Sequence, residues 1–344
     1  MRIGIKIKQR IVWIDWAKSI CMFLVVLGHC HIQSSMYLIQ QVIYSFHIPL
    51  FFFFSGILCP KECTLVSLKK DIKYIIIPYF VFGFFQIIIH SILTKDFSFL
   101  FYRDNTKLLL CGTDASIGAI WFLPALFICK QLFHILQKIG QETIIPQIAI
   151  IILSIFPAFF ISLYNINLPL FTDSALFGLP FFFIGSASLP YINNIIAKST
   201  SSIASLTIVL LILTIILSIH NGFVSIASCE YGENLLTYYL NAMTGIAAII
   251  GICLLLNKYH SEFITTTSYG TIVTLGFHGV LLLFFQYYIP KLAGFYTSTI
   301  SFPIAIIYST ITFIICYYII KYGDHYCPQL LGLRGSLLRS GINL

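Results

Sequence analysis

The sequence predicts an all-α membrane protein, a polytopic bundle of about ten spanning helices with both termini on the cytoplasmic side. Three observations predict it. Of 344 residues, 58% are hydrophobic and only 9% are charged, against roughly a quarter charged in a soluble domain. Apolar runs near the roughly 20-residue length that crosses a bilayer recur along the whole chain. The basic residues gather in alternate loops, the distribution that marks a cytoplasmic face.

The first apolar run follows the basic stretch Met1 to Arg10 and so invites comparison with a secretory signal. Asp15 and Lys18 interrupt it, and no small-x-small cleavage site follows. Leu27-Gly28-His29-Cys30 resembles a lipoprotein cleavage site, but His29 stands where a small residue is required. The segment is therefore expected to remain as the first helix. Spans are expected at roughly 12–31, 42–59, 74–93, 117–136, 144–163, 175–192, 202–220, 238–256, 269–288 and 300–320. The sixth, broken by Pro180 and Pro190, carries the weakest signal.

With the N-terminus inside, Arg2, Lys6, Lys8, Arg10, Lys61, Lys69, Lys70, Lys73, Lys130, Lys138, Lys198, Lys258, Lys321, Arg334 and Arg339 are cytoplasmic. Only Lys95, Arg103, Lys107 and Lys291 face outward. This asymmetry supports an even number of crossings. The long outer loops 94–116 and 221–237 carry Asp96, Asp104, Asp114, Glu230 and Glu233, which read as solvated charge or as contacts to a polar acceptor. A single transmembrane domain over 1–320 is expected, with 321–344 as a short basic cytoplasmic tail too small to fold alone.

No internal repeat of the transporter kind is evident. The formal net charge of +8 has no soluble basic domain to carry it, so nucleic acid is not an expected partner. Cys21, Cys30, Cys129, Cys253 and Cys316 lie inside apolar runs, with no CxxC pair and no Cys/His cluster at metal spacing. They read as small buried hydrophobes, and neither a metal nor a bound cofactor is expected.

An ionisable residue inside a span is costly unless it faces a cavity or a partner, which makes each one a functional candidate. The first span has Asp15, Lys18 and His29. Lys18 and His29 are nearly three helical turns apart, on one face and about 16 Å from each other. Asp15 lies one turn before Lys18, and pairing between them is the plain structural reading of both. The second span descends from outside, bringing His47 to the depth of His29. Histidine at such a place serves as a general base on a hydroxyl or takes an acyl group itself; packing by hydrogen bonds is the alternative. The cytoplasmic run Lys69-Lys70-Asp71-Ile72-Lys73 suits a phosphate-bearing ligand and equally satisfies the positive-inside rule. His278 and His90 read as packing residues. His47-Ile48-Pro49 and Trp121-Phe122-Leu123-Pro124 contain helix-disturbing prolines, whose freed carbonyls need partners.

At these residues the sequence resembles the membrane acyltransferase-3 family, glycan O-acyltransferases, and within it the branch of fucose 4-O-acetylases. The resemblance is carried by Arg10-Ile11-Val12-Trp13-Ile14-Asp15-Trp16-Ala17-Lys18 leading to Val25-Val26-Leu27-Gly28-His29, and by Phe46-His47-Ile48-Pro49-Leu50-Phe51 through Ser55-Gly56. Further along come Ile77-Pro78-Tyr79-Phe80, Trp121-Phe122-Leu123-Pro124, Leu179-Pro180-Phe181-Phe182-Phe183-Ile184-Gly185 and Phe277-His278-Gly279. The family pairs a basic residue with a histidine across ten positions, here Lys18 and His29, and its second basic pair falls on Lys70 and Lys73. Where many members have Arg, this chain has Lys, which keeps the charge and loses the bidentate fork.

The resemblance implies an O-acyltransferase, expected to be an O-acetyltransferase, in the cytoplasmic membrane of a bacterium. It would carry an acyl group from cytoplasmic acyl-CoA, acetyl-CoA above all, to a hydroxyl of a surface polysaccharide or its lipid-linked precursor. His29 and His47 are then the expected catalytic residues. Lys18, Lys69, Lys70 and Lys73 are the expected donor-binding residues, and Asp15, Trp121 and His278 structural or orienting ones. The competing reading is an exporter or flippase of a polysaccharide or lipid-linked sugar.

Overall fold

The computed structural model describes residues 10–33, 37–60, 62–113, 118–140, 144–164, 166–196, 198–292, 294 and 299–335. Arg2, Lys6, Lys8, Lys61, Asp114 and Arg339 lie outside the described residues. Helix α1 covers Val12–Gly28, α2 Tyr37–Leu58 and α3 Leu65–Asp71, which passes through a π-helical turn at Ile72–Ile76 into α4, Ile77–Thr94. Then come α5 Phe99–Cys111, α6 Phe122–Gly140, α7 Ile144–Tyr164, α8 Thr172–Ile196, α9 Thr200–Asn221 and α10 Leu235–Leu255. The chain ends through α11 Glu262–Tyr269, α12 Thr271–Leu283, a second π turn at Phe284–Tyr288, α13 Ile289–Leu292 and α14 Phe302–Tyr326.

Among the described residues, 8 helical segments are long and apolar enough to cross a membrane. Helix α1, at 17 residues, reaches the lower limit for crossing, and α7 adds 21 residues. Each expected span thus has a helix of its own. Long alkyl and aromatic side chains such as Leu206, Ile208 and Val209 on α9 stay exposed. A helix that leaves its apolar face bare is stable only where lipid replaces water.

Two of the helices are continuous despite internal prolines. Helix α8 passes unbroken through Pro180 and Pro190, and α2 through Pro49. Each proline removes one backbone hydrogen bond, and the neighbouring packing outweighs that loss. Helices α2 and α8 approach so closely that a Cβ on Gly56 would meet the Phe182 carbonyl oxygen at 2.0 Å, and one on Gly185 would meet that of Phe53 at 2.0 Å. Small residues bring helix backbones together in this way where lipid supplies no hydrophobic drive.

Hydrogen bonds join the other helices at polar points. Asn241 on α10 donates from its side-chain amide to the Thr214 carbonyl on α9 at 3.1 Å and accepts from Ser218 Oγ–H at 3.0 Å. Lys130, expected among the loop cations, stands within α6 and pairs with the buried Asp71 at 2.6 Å. The outer loops are built rather than loose. The first contains α5, which starts on Ser98 and ends on the left-handed Gly112. Its Leu109 carbonyl accepts a hydrogen bond from Tyr79 of α4 at 2.6 Å. The second is tied by Asn221, whose amide donates to the Tyr231 carbonyl at 2.7 Å and whose Oδ1 accepts from the Asn234 N–H at 3.0 Å. Burial pushes the Cys229 thiol in this loop well up. The last helix continues past the boundary expected at 320 to Tyr326.

Gly56→Ala and Gly185→Ala are each expected to destabilise the fold by about 1–3 kcal/mol, the range for overpacking a close contact. Thermal unfolding of the detergent-solubilised protein checks this; unchanged melting of both variants would mean that α2 and α8 are not locked by backbone approach.

Candidate active site

The outer end of the site is built on the last turn of α1. His29 caps that helix, with φ −86° and ψ 0°, and its Nδ1–H donates to the Val25 carbonyl at 2.8 Å. A carbonyl only accepts, so Nδ1 carries the proton in the neutral ring and Nε2 is left with its lone pair. The turn itself is held from three sides. The Gln40 amide on α2 donates to the carbonyls of Gly28, 3.2 Å, and Cys30, 2.9 Å, which no further helical turn would satisfy. Gln286 in the second π turn accepts from the His31 N–H at 3.0 Å. A short parallel bridge joins His31 and Gln33 to Ile300, with Ile300 N–H to His31 O at 2.8 Å and Gln33 N–H to Ile300 O at 3.1 Å.

His278 on α12 comes to His29 with ring centroids 5.0 Å apart, edge to face. It repeats the same local lock, Nδ1–H to the Thr274 carbonyl at 2.9 Å. Its Nε2 is buried without a hydrogen-bond partner among the described residues, as are Thr274 Oγ1 and Gln286 Nε2. Unpaired buried polar atoms are uncommon and call for an explanation. Of these, the His278 ring lies against the half-buried His29 imidazole, whereas the Thr274 and Gln286 side chains lie by the thiols of Cys316 and Cys30.

His47 is buried, and its Nδ1–H donates to the Ile43 carbonyl at 2.8 Å. Between it and His29 stands Tyr44, whose ring lies 4.8 Å from that of His47 and 6.2 Å from that of His29. Phe223, from the loop tied by Asn221, packs on Tyr44 at 5.0 Å and stacks on the exposed Tyr37 at 5.8 Å. The expected convergence of two histidines is thus found as a wider cluster, His278–His29–Tyr44–His47, with an aromatic ledge beside it. Sequence reasoning assigns His278 a packing or orienting role, and its neighbour in space, His29, is more than two hundred positions away. Tyr44, one turn before His47, carried a helical-spacing signal that passed unread.

At the opposite end of α1 the charges are arranged differently from expectation. Asp15 does not pair with Lys18. Its carboxylate accepts from Arg10 Nε at 2.5 Å and Nη2 at 3.2 Å and from Ser268 Oγ at 2.7 Å. Helix α11 brings Ser268 there, and Ser19 and Thr267 add a hydroxyl contact of 2.7 Å. Asp15 therefore fastens α1 to α11. Lys18 is half-buried, has no ion pair among the described residues, and lies within electrostatic range of Asp15, Arg10 and Arg334. Between Lys18 and His29, the same face of α1 presents Met22 and Val25, both buried.

Lys69 and Lys70 are exposed on the last turn of α3, and Lys73 lies in the π turn. The Lys73 ammonium sits over the Tyr74 ring at 5.5 Å. Such turns re-aim side chains within a helix and are frequent at functional sites. Trp121 lies in a single 3₁₀ turn, buried against Phe122 and Phe171. That is a packing position. His90, on α4, is exposed and lies against Phe101 at 5.5 Å.

Gln40→Leu is expected to lower stability by about 1–2 kcal/mol, since it leaves two carbonyls of the α1 terminus unpaired. Chemical or thermal unfolding in detergent measures this, and parent-like stability would show that other groups hold the turn.

A family model described as an acyltransferase domain matches residues 11–321, which is most of the chain. No curated protein and no solved structure matched it.

Proposed function

The chain belongs to the acyltransferase-3 family, and from that premise we propose that it moves an acyl group from cytoplasmic acyl-CoA to a hydroxyl of a surface glycan or its lipid-linked precursor. It is a multi-pass membrane acyltransferase. Acetyl is the favoured group, polysaccharide O-acetylation the favoured outcome, and a bacterial cytoplasmic membrane the favoured location. The observation that carries the mechanism is the locked ring of His29, whose Nδ1–H is committed to Val25 and whose Nε2 has no hydrogen-bond partner among the described residues.

In this reading His29 Nε2 takes the proton of the acceptor hydroxyl as its oxygen attacks the thioester carbonyl. The carbon–sulfur bond breaks, and the imidazolium returns the proton to the departing thiolate, so an ester and a free thiol result. By accepting from Nδ1–H, the Val25 carbonyl keeps the proton on Nδ1 and the lone pair on Nε2. His278, at 5.0 Å, offers a second neutral imidazole to receive a hydroxyl hydrogen and so orient the acceptor. His47 acts through Tyr44 on the side where the acceptor arrives. Tyr37, Phe223 and Tyr44 give that side apolar ring faces, on which the C–H face of a sugar can rest.

At the donor end, Lys18, Lys69, Lys70 and Lys73 oppose the phosphates of the nucleotide, and the pantetheine arm follows the face of α1 past Met22 and Val25. Loop charge supports a cytoplasmic position for this end. Family membership favours this enzyme over the exporter that the sequence also allowed, because an exporter needs no acyl donor.

Sealed inside-out vesicles test the sidedness. Externally added acyl-CoA should be consumed while acylated acceptor accumulates in the lumen, with acceptor supplied outside left unmodified. Glycan movement that needs no donor, or product formed on the donor's own side, would contradict the proposal.

A further inference from the structure

The residues after α14 were expected to be a short basic tail too small to fold alone, and those from 327 to 335 pack onto the end of the bundle where α14 finishes. Leu331 and Leu333 are buried, and a Cβ on Gly323 of α14 would meet Leu331 at 2.3 Å. The Leu333 N–H donates to the Pro328 carbonyl at 2.7 Å. Gly332 has φ +71°, and a Cβ there would come within 3.1 Å of the Tyr74 carbonyl oxygen and 2.9 Å of Pro78. Only glycine combines that left-handed backbone with so close a passage over α4.

A buried carboxylate then fixes the last turn of this strap. Asp324, 3% exposed, accepts from Tyr269 Oη–H at 2.6 Å and from the Gly335 N–H at 3.0 Å. The Arg334 N–H donates in turn to Tyr269 Oη at 2.5 Å. Between these two anchors the Arg334 side chain leaves the surface, with its guanidinium 5.7 Å from the centre of the Tyr74 ring. Lys73 lies over the same ring at 5.5 Å, and Lys18 is within electrostatic range of Arg334.

Cations from two distant stretches of sequence thus share the Tyr74 ring, with a third, Lys18, in electrostatic range. Of the carboxylates in this region, Asp15 is paired with Arg10 and Asp71 with Lys130, and Asp324, which accepts from Tyr269 and Gly335, is one negative charge beside three positive ones. Like charges held together cost free energy unless an anion joins them. The positive-inside rule asks only for charge in the loop. It does not ask for a buried Asp–Tyr clamp to aim one particular guanidinium.

We propose that Arg334 is a phosphate-binding residue of the donor site and that residues 327–335 form the last wall of its mouth. The proposal rests on acyl-CoA being the donor. It also supplies the planar bidentate fork that the lysines at positions 18, 70 and 73 lack.

The test compares full-length parent, Arg334→Ala and Arg334→Lys with acetyl-CoA, acetyl-dephospho-CoA and the phosphate-free acetyl-pantetheine. Arg334→Ala should raise KM for acetyl-CoA about tenfold, the scale of one charge-assisted contact at a partly exposed site, while kcat holds. KM for acetyl-pantetheine should stay at the parent value, and Arg334→Lys should fall between. A smaller penalty with acetyl-dephospho-CoA would assign the contact to the 3′-phosphate, and an equal one to the diphosphate. Equal KM increases for all three donors would make Arg334 a structural residue and overturn the proposal, as would parent-like KM throughout. If the parent itself uses none of these thioesters, the donor reading falls and takes this proposal with it, a pattern distinct from an active parent with a silent variant.

Discussion

Lipid offers no hydrogen bonds, so a polar atom placed inside this bundle is costly unless the chain itself supplies its partner. That constraint shapes α1 from end to end. At its start Asp15 is held by Arg10 and Ser268, and the Trp13 N–H finds Asn257 Oδ1 at 3.1 Å. At its end Gln40 takes the last carbonyls. His29 is part of the same accounting: one ring nitrogen is committed to the helix, which leaves the other as the conspicuous open valence. His278 and His47 repeat the device with Thr274 and Ile43. A membrane helix can thereby present a neutral imidazole of fixed tautomer without a carboxylate to orient it.

The same constraint separates the two ends of the site. Charges collect where water reaches, at Lys69, Lys70, Lys73 and Arg334, and neutral hydrogen-bonding groups collect deeper, around His29. Lys18 is the intermediate case, half-buried on the face of α1 that leads from one to the other. A thioester donor matches this gradient in its own chemistry, since its phosphates lie at one end and its reactive carbonyl at the other, on a thin neutral arm.

Much of the fold was legible because crossing a bilayer writes a long, simple signal. Each expected span has its helix, and even the sixth, doubted for Pro180 and Pro190, is continuous from Thr172 to Ile196. What periodicity does not record is how helices meet. The 2.0 Å approaches at Gly56 and Gly185 are invisible in hydropathy, as is the short α11, which gives Asp15 a hydroxyl partner. The candidate site was half legible. His29, His47 and Lys18 stood out as polar residues in apolar runs, whereas His278 needed the fold to bring it to 5.0 Å from His29. Arg334 sits in a glycine-bearing tail with no repeat to read, and the burial of Leu331 and Leu333 together with the contacts of Asp324 reveals that the tail is anchored.

The account turns on a single nitrogen, Nε2 of His29. The most direct measurement is turnover of His29→Asn, whose side-chain amide can still donate toward the Val25 carbonyl but offers no base at the Nε2 position. In protein that inserts and melts like the parent, acyl transfer should fall by roughly 10²–10⁴-fold, the usual contribution of a general base. Parent-level turnover in that folded variant would contradict the account and return His29 to the role of a helix cap.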